Sequence, residues 1–583
     1  MTHNTPTPTS PGFPVRALKV NLPWASYRQH ASLDLHDSTL RDPLYWEKLL
    51  DFMVDCRLNL LSLWSLHPFP WMAMPPDFPE GHDFTGEEMA GWQSLWSRVF
   101  AMAHERGIQT YVFFWNIFVS QSFARAHGIA DYCLNWDYIG DGDTSDLVRD
   151  YNRACVRTLI DTYPDLDGLG LAMSERMGGM SPAERAEWVE DVTIAGINQA
   201  KRSVDLCLRI PHSAGLNNGG STSADSEALG RDLLERVRIQ GKVWTEIKFN
   251  WSHGHSTPHL RKIHGGPPSD TFWKPPPEKY SIGWMVRNED FFVLRWASPG
   301  YVREHIRLNG IPGVCGYFIG SECHIPGKDY ISRPGFHEGP RYAFERNWLF
   351  YEVWGRLLAD PDTPDETFED LIDRRHGSGT GKPLLAAYES CSLVPLRIAC
   401  FLNYTWDHTL YAEGFLIQHG FATLDDLIVA RPIEPDWLSV EAFVRQEANA
   451  PSVAQKFTPI LLAKELDDAM DRTLEILKSF PEPNGGDLAE EIADIHAWIH
   501  LGRYFADKLR AAVHLARHRI HGAPGERDLA AENLETAIQH WRHLAENTAE
   551  RYQPIPLQIL GDRLFSWQDL LPDVERDRVC LDA

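Results

Sequence analysis

The chain has 583 residues, 43% hydrophobic and 23% charged, and because single hydrophobic cores stop growing near ~250–300 residues we expect two or three domains. The net charge of −25 and the absence of a basic run exclude nucleic acid as a partner, since phosphate binding needs clustered lysine and arginine. No apolar run approaches the ~20 residues that cross a bilayer, so we expect no membrane association.

The first 14 residues, MTHNTPTPTSPGFP, are polar and contain no apolar core of a signal peptide. We therefore expect residues 1–14 to form a disordered tail and the protein to be cytoplasmic. The nine cysteines are scattered without a CxxC pair, which fits reduced thiols better than a disulfide framework or a zinc site.

Residues 15–375 alternate short apolar runs with amphipathic helices, the pattern of βα units around a parallel sheet. Eight such units over this length predict an α/β fold, a (β/α)8 TIM barrel. The predicted strands are 17–22, 58–64, 109–115, 168–173, 203–210, 243–249, 291–296 and 314–319.

A different composition begins near the loop GSGTGKP at 377–383, after an aromatic-rich helix at 341–358. Further helices are predicted at 459–480, 488–518 and 527–552, with few strands between them. We therefore predict a C-terminal α-helical domain over 376–583, packed against the barrel. Its apolar stripes also suit a homodimer.

The active site of a TIM barrel lies at the C-terminal ends of its strands. Glu175 and Glu322 follow predicted strands four and eight, which face each other across an eight-stranded barrel. Two such carboxylates suit glycosidic bond cleavage, in which one protonates the leaving oxygen and the other activates water or attacks carbon. Each Glu would otherwise cap a helix or pair with a nearby arginine such as Arg176.

Predicted strand six ends with Lys248, Asn250 and His253. A lysine within an apolar strand needs an anionic partner, which would be a substrate carboxylate or Glu246. We expect this strand end to help form a locally cationic pocket in an acidic protein.

Arg287 and Asn288 precede predicted strand seven, and Arg295 and Trp296 end it. An arginine fork matches a carboxylate, and a tryptophan face suits a sugar ring. The arginines would otherwise pair with neighbouring acids. The residues at the ends of strands two and three would line the sugar subsites, although a tryptophan there suits barrel packing equally well; they are Trp64, His67, Trp115 and Asn116.

Two other functions fit the pattern. His253, His255 and His259 suggest a metal-dependent barrel enzyme, but a further ligand has no clear candidate, so we predict no metal and no cofactor. The other alternative is a non-catalytic saccharide-binding barrel that keeps the pocket without the chemistry.

Four segments, at 168–175, 246–253, 313–321 and 347–361, resemble the glycoside hydrolase family 67 α-glucuronidases and a wider set of bacterial barrel proteins related to them. The resemblance implies a TIM barrel that works without a cofactor. It also implies release of α-linked glucuronic acid from short xylan fragments with inversion, often inside the cell.

The chain departs from that family at two strand ends. The family's base aspartate after strand six is missing from the run Phe249 to His253, and Leu294-Arg295-Trp296 replaces its strand-seven glutamate. The family's strand-four glutamate carries over as Glu175. We therefore predict an O-glycosyl hydrolase acting on a short, uronic-acid-containing saccharide, with Glu175 as general acid and Glu322 as base or nucleophile.

Overall fold

The computed structural model describes residues 12–26, 35–129, 141–173, 176–209, 224–251, 253–263, 268–321, 324–334, 342–403, 410–447, 456–480 and 486–582. Glu175 and Glu322 both lie outside these ranges, so their predicted roles stay predictions. Phe13, at the end of the predicted tail, packs its ring against Tyr317 and donates its backbone N–H to Leu358.

Eight parallel strands form a closed barrel in chain order, and β1 pairs with β8 to complete it. This confirms the predicted TIM-barrel fold. The strands are β1 (Val15–Asn21), β2 (Leu60–Trp64), β3 (Gln109–Trp115), β4 (Gly168–Ala172), β5 (Asp205–Arg209), β6 (Val243–Lys248), β7 (Ser281–Arg287) and β8 (Val314–Gly320).

Large aromatic side chains fill the barrel lumen because alternate residues of each strand point inward. Trp244 stacks on Phe318, with ring centroids 5.0 Å apart. Strand β4 makes room for two neighbouring rings with glycine: a Cβ on Gly168 or Gly170 would lie 2.1 Å or 2.0 Å from ring atoms of Tyr111 or Phe113. The glycine-rich sequence of this strand is therefore a packing requirement.

Helices connect the strands around the barrel, and the predicted alternation is confirmed. They are α1 (Asp37–Leu40), α2 (Pro43–Asp55), α3 (Gly86–Glu105), α4 (Gln121–His127), α5 (Asp146–Thr162), α6 (Pro182–Val189), α7 (Ala195–Gln199), α8 (Ala224–Arg236) and α9 (Pro299–Asn309), with a π-helical turn at Glu190–Ile194. Helix α3 shows why they form: Thr85 and Glu88 make a capping box, and Trp92, Trp96 and Val99 are buried on one face.

The prediction for strand seven was wrong. The strand is Ser281–Arg287, whereas residues 291–296 form a buried irregular segment with no regular secondary structure. Arg287 therefore ends the strand and Asn288 follows it, so both lie at the carboxyl end of the barrel. The segment 288–298, which leads from β7 to α9, is called the β7 connection below.

The chain after β8 is helical, as predicted. The helices are α10 (Ala343–Arg346), α11 (Trp348–Ala359), α12 (Asp365–His376), α13 (Gly381–Cys391), α14 (Leu393–Leu402), α15 (Leu424–Val429), α16 (Val440–Gln446), α17 (Pro459–Leu477), α18 (Asp487–His521), α19 (Glu526–Ala549) and α20 (Leu571–Arg576). Two short antiparallel ribbons accompany them, β9 (Leu416–Ile417) with β10 (Gly420–Phe421) and β11 (Ile555–Pro556) with β12 (Leu564–Phe565).

Among the described residues, one helical stretch, Gly381–Leu402, is long and apolar enough by composition to cross a membrane, a run that was not expected from the sequence. Within the structure, 72% of its apolar window is buried. Its hydrophobicity is therefore accounted for by packing in the helical region. The predicted boundary at 375/376 falls within α12, and the division into two domains stays a prediction.

Candidate active site

Basic and polar side chains occupy lumen-facing positions at the carboxyl ends of several strands. The alternation is set by Ala17, Trp64, Trp115, Cys207, Trp244 and Met285, which belong to the aromatic core inside the barrel. Residues two positions further along each strand point to the same inner face. These are Lys19 and Asn21 on β1, Arg209 on β5, Glu246 and Lys248 on β6, and Arg287 on β7. Lys19, Arg209, Lys248 and Arg287 are together called the basic mouth.

The deepest part of this mouth is built around Trp64. Its ring stacks on Phe113 with centroids 3.9 Å apart. The Lys19 ammonium lies 4.3 Å from the Trp64 ring centroid and the Arg209 guanidinium 5.3 Å from it. Arg209 Nε also lies 3.0 Å from a carboxylate oxygen of Glu246. Trp64 thus serves as barrel packing and as the surface on which two cations rest.

Sequence reasoning missed Lys19 and Arg209, and it considered Glu246 as a partner of Lys248 alone. All three are at most 4% exposed. A signal was present, because each is a charged residue on the inward-facing register of an apolar strand. Buried charges of this kind are rarely left uncompensated.

Two of the predicted binding residues near the end of β6, Lys248 and Asn250, have different surroundings. Lys248 is 5% exposed, and its ammonium lies 5.1 Å from the Trp251 ring centroid. Asn250 instead organises the following loop. Its amide oxygen accepts from the backbone N–H groups of Arg261 and Lys262, and its amide nitrogen donates to the His259 carbonyl. Asn250 therefore has a structural role that does not require substrate.

The three histidines of this loop have separate surroundings. His253 Nδ1 lies 2.5 Å from the Tyr411 hydroxyl, so this predicted binding residue contacts the helical region. His255 Nδ1 donates to the Arg287 carbonyl at 2.8 Å, and its Nε2 accepts from the Trp354 indole at 3.2 Å. Burial lowers the pKa of His255 to about 3, so the ring is neutral. His259 is partly exposed and pairs with Glu434 at 3.0 Å.

These contacts argue against the metal-dependent alternative. Both ring nitrogens of His255 are engaged, which leaves no lone pair for a cation. Among the described residues, the groups of side chains arranged to hold a metal do not include this loop.

The end of β7 carries two fully buried acids beside the predicted binding residues. Arg287 Nε donates to Glu289 at 2.5 Å, which is the alternative pairing considered from sequence. Asn288 donates its backbone N–H to Gly320, and its amide oxygen is buried without a hydrogen-bond partner among the described residues. Burial raises the pKa of Asp290 well above its usual range, while its carboxylate accepts from the backbone of His255. Sequence reasoning treated Glu289 and Asp290 as partners of arginine alone.

The two predicted catalytic glutamates lie outside the described residues, but the strands that precede them are described. Glu175 follows β4, whose last residue, Ala172, accepts a hydrogen bond from the Asn116 side chain at 2.9 Å. Glu322 follows Ser321, whose carbonyl accepts from the Asn21 side chain at 2.6 Å. Strands β4 and β8 are four positions apart in the closed barrel, so their ends face each other across the mouth. Side-chain hydrogen bonds thus hold the backbone carbonyls of Ala172 and Ser321.

Arg295 and Trp296 lie away from the strand ends. Arg295 Nη1 donates to Asp494 on α18 at 2.7 Å, and the Trp296 indole donates to the Ser392 carbonyl at 3.0 Å. Trp296 also stacks with Phe291, and both rings are buried. The two residues join the barrel to the helical region, so we withdraw them as substrate-binding candidates.

A cavity of about 330 Å³ opens among the loops that follow β1, β2 and β3. This volume is at the lower end of the range for small-ligand sites. Its lining combines aromatic faces with polar groups: Ala25, His67, Pro70, Trp71, His82, Asp83, Phe84, Ser120, Gln121 and Ser122. Of these residues, sequence reasoning assigned only His67 to a sugar subsite, although the aromatic run SLHPFPW after β2 was a signal for Pro70 and Trp71 as well.

No family model and no curated protein matches this chain. Among solved structures, a GH138 enzyme described as targeting pectin rhamnogalacturonan II superposes with a TM-score of 0.79 at 18% identity, over 98% of this chain and 84% of that one. A mutant O-GlcNAc hydrolase from Thermobaculum terrenum (10% identity, 98% and 96% coverage) and CpGH84B (9% identity, 97% and 77% coverage) each superpose with a TM-score of 0.40. The first likeness shows that the barrel and the helical region together form the fold of the GH138 enzyme.

Proposed function

We propose that this chain is a glycoside hydrolase that acts on a short saccharide carrying a uronic acid. The observation that carries the proposal is the basic mouth. Four basic side chains lie on inward-facing positions of β1, β5, β6 and β7, in a chain whose net charge is −25. A sugar carboxylate is the anion that such a site suits, because lysine and arginine donors match it.

Glu175 acts as general acid in this proposal and protonates the glycosidic oxygen as the bond from that oxygen to the anomeric carbon breaks. Glu322 either removes a proton from the attacking water or attacks the anomeric carbon itself, and water then supplies the hydroxyl of the released sugar. Lys248 and Arg287 orient the sugar carboxylate from the neighbouring strand ends. Asn116 holds the carbonyl of Ala172, three residues before Glu175, in place.

The GH138 enzyme of the same fold is described as targeting pectin rhamnogalacturonan II. We extend that substrate class to this chain, so pectin-derived oligosaccharides and aryl uronides are the first substrates to test. The cavity beside β2 and β3 would hold a second sugar unit, with Trp71 and Phe84 as stacking faces. A cytoplasmic location and a homodimer remain predictions that accompany this proposal.

Turnover on these substrates tests the proposal directly. We expect the wild type to release a monosaccharide, and Glu175→Gln and Glu322→Gln each to lower kcat by ~10²–10⁴, the usual contribution of a positioned acid or base. The exposed Glu187 on α6 provides the control, and Glu187→Gln should retain full activity. Near-wild-type activity in either catalytic variant would remove that residue from the mechanism. Saccharide binding by the wild type without any cleavage would favour the binding-protein alternative.

Charge selectivity tests the uronic-acid part separately. A uronide should be hydrolysed with a higher kcat/KM than the neutral sugar of the same configuration. Lys248→Met should raise KM for the uronide and leave the neutral substrate unaffected. If the neutral sugar is preferred, the substrate class is wrong while the hydrolase assignment stands.

A further inference from the structure

A cluster of histidines joins the two longest helices of the chain, far in sequence from the barrel strands. His500 lies on α18, and His540 and His543 lie on α19, which follows α18 after a short turn. One ring nitrogen from each of the three lies within 4.8 Å of the others. His540 and His543 are three residues apart, so they share one face of their helix.

Two ring nitrogens of this histidine cluster have no hydrogen-bond partner among the described residues. The Nδ1 atoms of His500 and His540 are buried and have no hydrogen-bond partner among the described residues. A buried polar atom without a partner is costly, and a bound cation would satisfy it.

Asp507 occupies the position of a supporting group. Its carboxylate accepts from Arg510 at 2.7 Å and lies 3.6 Å from His540 Nε2, a separation longer than a hydrogen bond. Histidine ligands in metal sites commonly direct the nitrogen that does not bind the metal towards a carboxylate, which fixes the ring and its tautomer. This arrangement leaves His540 Nδ1 as the ligand atom.

We propose that His500, His540 and His543 bind one divalent transition-metal ion, with Zn²⁺ as the natural occupant, and that the ion cross-links α18 to α19. Three imidazoles and no thiolate suit Zn²⁺, Cu²⁺ or Ni²⁺, and a water completes a tetrahedral zinc site. The site is separate from the proposed hydrolase chemistry and does not depend on it.

Metal titration of full-length protein without an affinity tag tests the site. Chelator-treated protein should bind one equivalent of Zn²⁺, with a shell of nitrogen ligands at ~2.0 Å in X-ray absorption. His540→Ala and His543→Ala should each weaken binding by at least ~10-fold, and Asp507→Asn by ~10-fold through the orientation of His540. Zn²⁺ should also raise the Tm of the wild type and not that of His540→Ala.

His518→Ala, which removes a histidine further along α18, is the control and should bind Zn²⁺ as the wild type does. Because His543 is exposed, His543→Ala keeps the test valid if a change at the more buried His540 disturbs folding. Absence of stoichiometric Zn²⁺ binding, or binding that survives both His540→Ala and His543→Ala, would overturn the proposal.

Discussion

Charged residues inside the barrel are arranged in compensating groups. Arg209 pairs with Glu246, and Arg287 pairs with Glu289, each within 3.0 Å and each almost completely buried. Removing one member of such a pair leaves an uncompensated buried charge, so these residues resist substitution for reasons of stability as well as function. For this reason the charge-selectivity experiment compares two substrates on the same Lys248→Met variant, so that a loss of stability affects both measurements equally.

Buried neutral histidines make the stability of the protein sensitive to acid. The pKa of His255 in the folded protein, about 3, is below the ordinary value of about 6.5. Between these values the unfolded chain binds a proton that the folded chain does not, so the free energy of unfolding falls as the pH falls through this window. One such group changes that free energy by at most ~1.4 kcal/mol per pH unit.

We expect His255→Phe to remove about one proton's contribution from this slope, measured by urea unfolding at pH 6.5 to 4. The ring volume is kept, but the Arg287 carbonyl and the Trp354 indole lose their partners, so the variant is also less stable at pH 7. Phe291→Leu disturbs the same aromatic packing without removing a titrating group, and its slope should match the wild type. An unchanged slope in His255→Phe would show that His255 does not cause the loss of stability in acid.

At the scale of elements, the β7 connection shows where sequence patterns fail. The run FFVLRW at 291–296 is apolar and rich in residues that favour strands. The true strand, SIGWMVR, has a weaker strand pattern because it contains Gly283. The backbone N–H groups at 292–294 instead donate to the carboxyl oxygens of Glu413, more than a hundred residues away. Local periodicity cannot register a partner that distant, so it misplaced strand seven and, with it, Arg295 and Trp296.

The other seven strands were found from sequence because each is apolar, is short and ends at polar residues. Period-two counting back from those ends would also have found Lys19, Arg209 and Glu246. The cavity beside β2 and β3 could not be assembled in this way, because three separate loops form it. Backbone packing between loops depends on tertiary contacts that no local pattern contains.

The ion pair between Arg295 and Asp494 should be the strongest single link between the β7 connection and α18. Both side chains are buried, and Asp494 also accepts from the Arg295 backbone N–H at 3.1 Å and from the Tyr552 hydroxyl. We expect Arg295→Met and Asp494→Asn each to lower the free energy of unfolding by ~3–5 kcal/mol, because each leaves the other side chain of the pair buried without its counter-charge.

The double variant should lose less than the sum of the two single losses, since it leaves neither charge unpaired. Equilibrium urea unfolding of the three variants and the wild type gives the coupling energy. Strictly additive losses would show that the two side chains stabilise the protein independently.

At the scale of the whole molecule, the helical region completes the barrel by supplying partners to its buried polar groups. Glu413 accepts from the β7 connection, the Trp498 indole donates to the Arg295 carbonyl at 2.8 Å, and Glu491 accepts from the Trp348 indole at 2.9 Å. Burial raises the pKa of Glu413 to about 8. This enclosed carboxyl group of the helical region holds the β7 connection of the barrel. The sequence predicted a helical region packed against the barrel, and these contacts give that packing its chemical content.

The barrel should therefore fail to fold without the helical region. A fragment ending at residue 376 would leave the backbone N–H groups of 292–294, the Trp348 indole and the Arg295 guanidinium without their partners. Each buried unsatisfied group costs ~1–3 kcal/mol, against a total stability of ~5–15 kcal/mol for a typical protein. We expect the fragment to be insoluble or to lack a cooperative thermal transition in far-UV circular dichroism, whereas the full chain unfolds in one transition.

Deletion of residues 1–11, which precede the packed Phe13, is the matched truncation and should leave the Tm unchanged. A soluble fragment with a sharp melting transition would show that residues 15–375 are an independent domain and that the contacts with Glu413, Glu491 and Asp494 are dispensable for its folding.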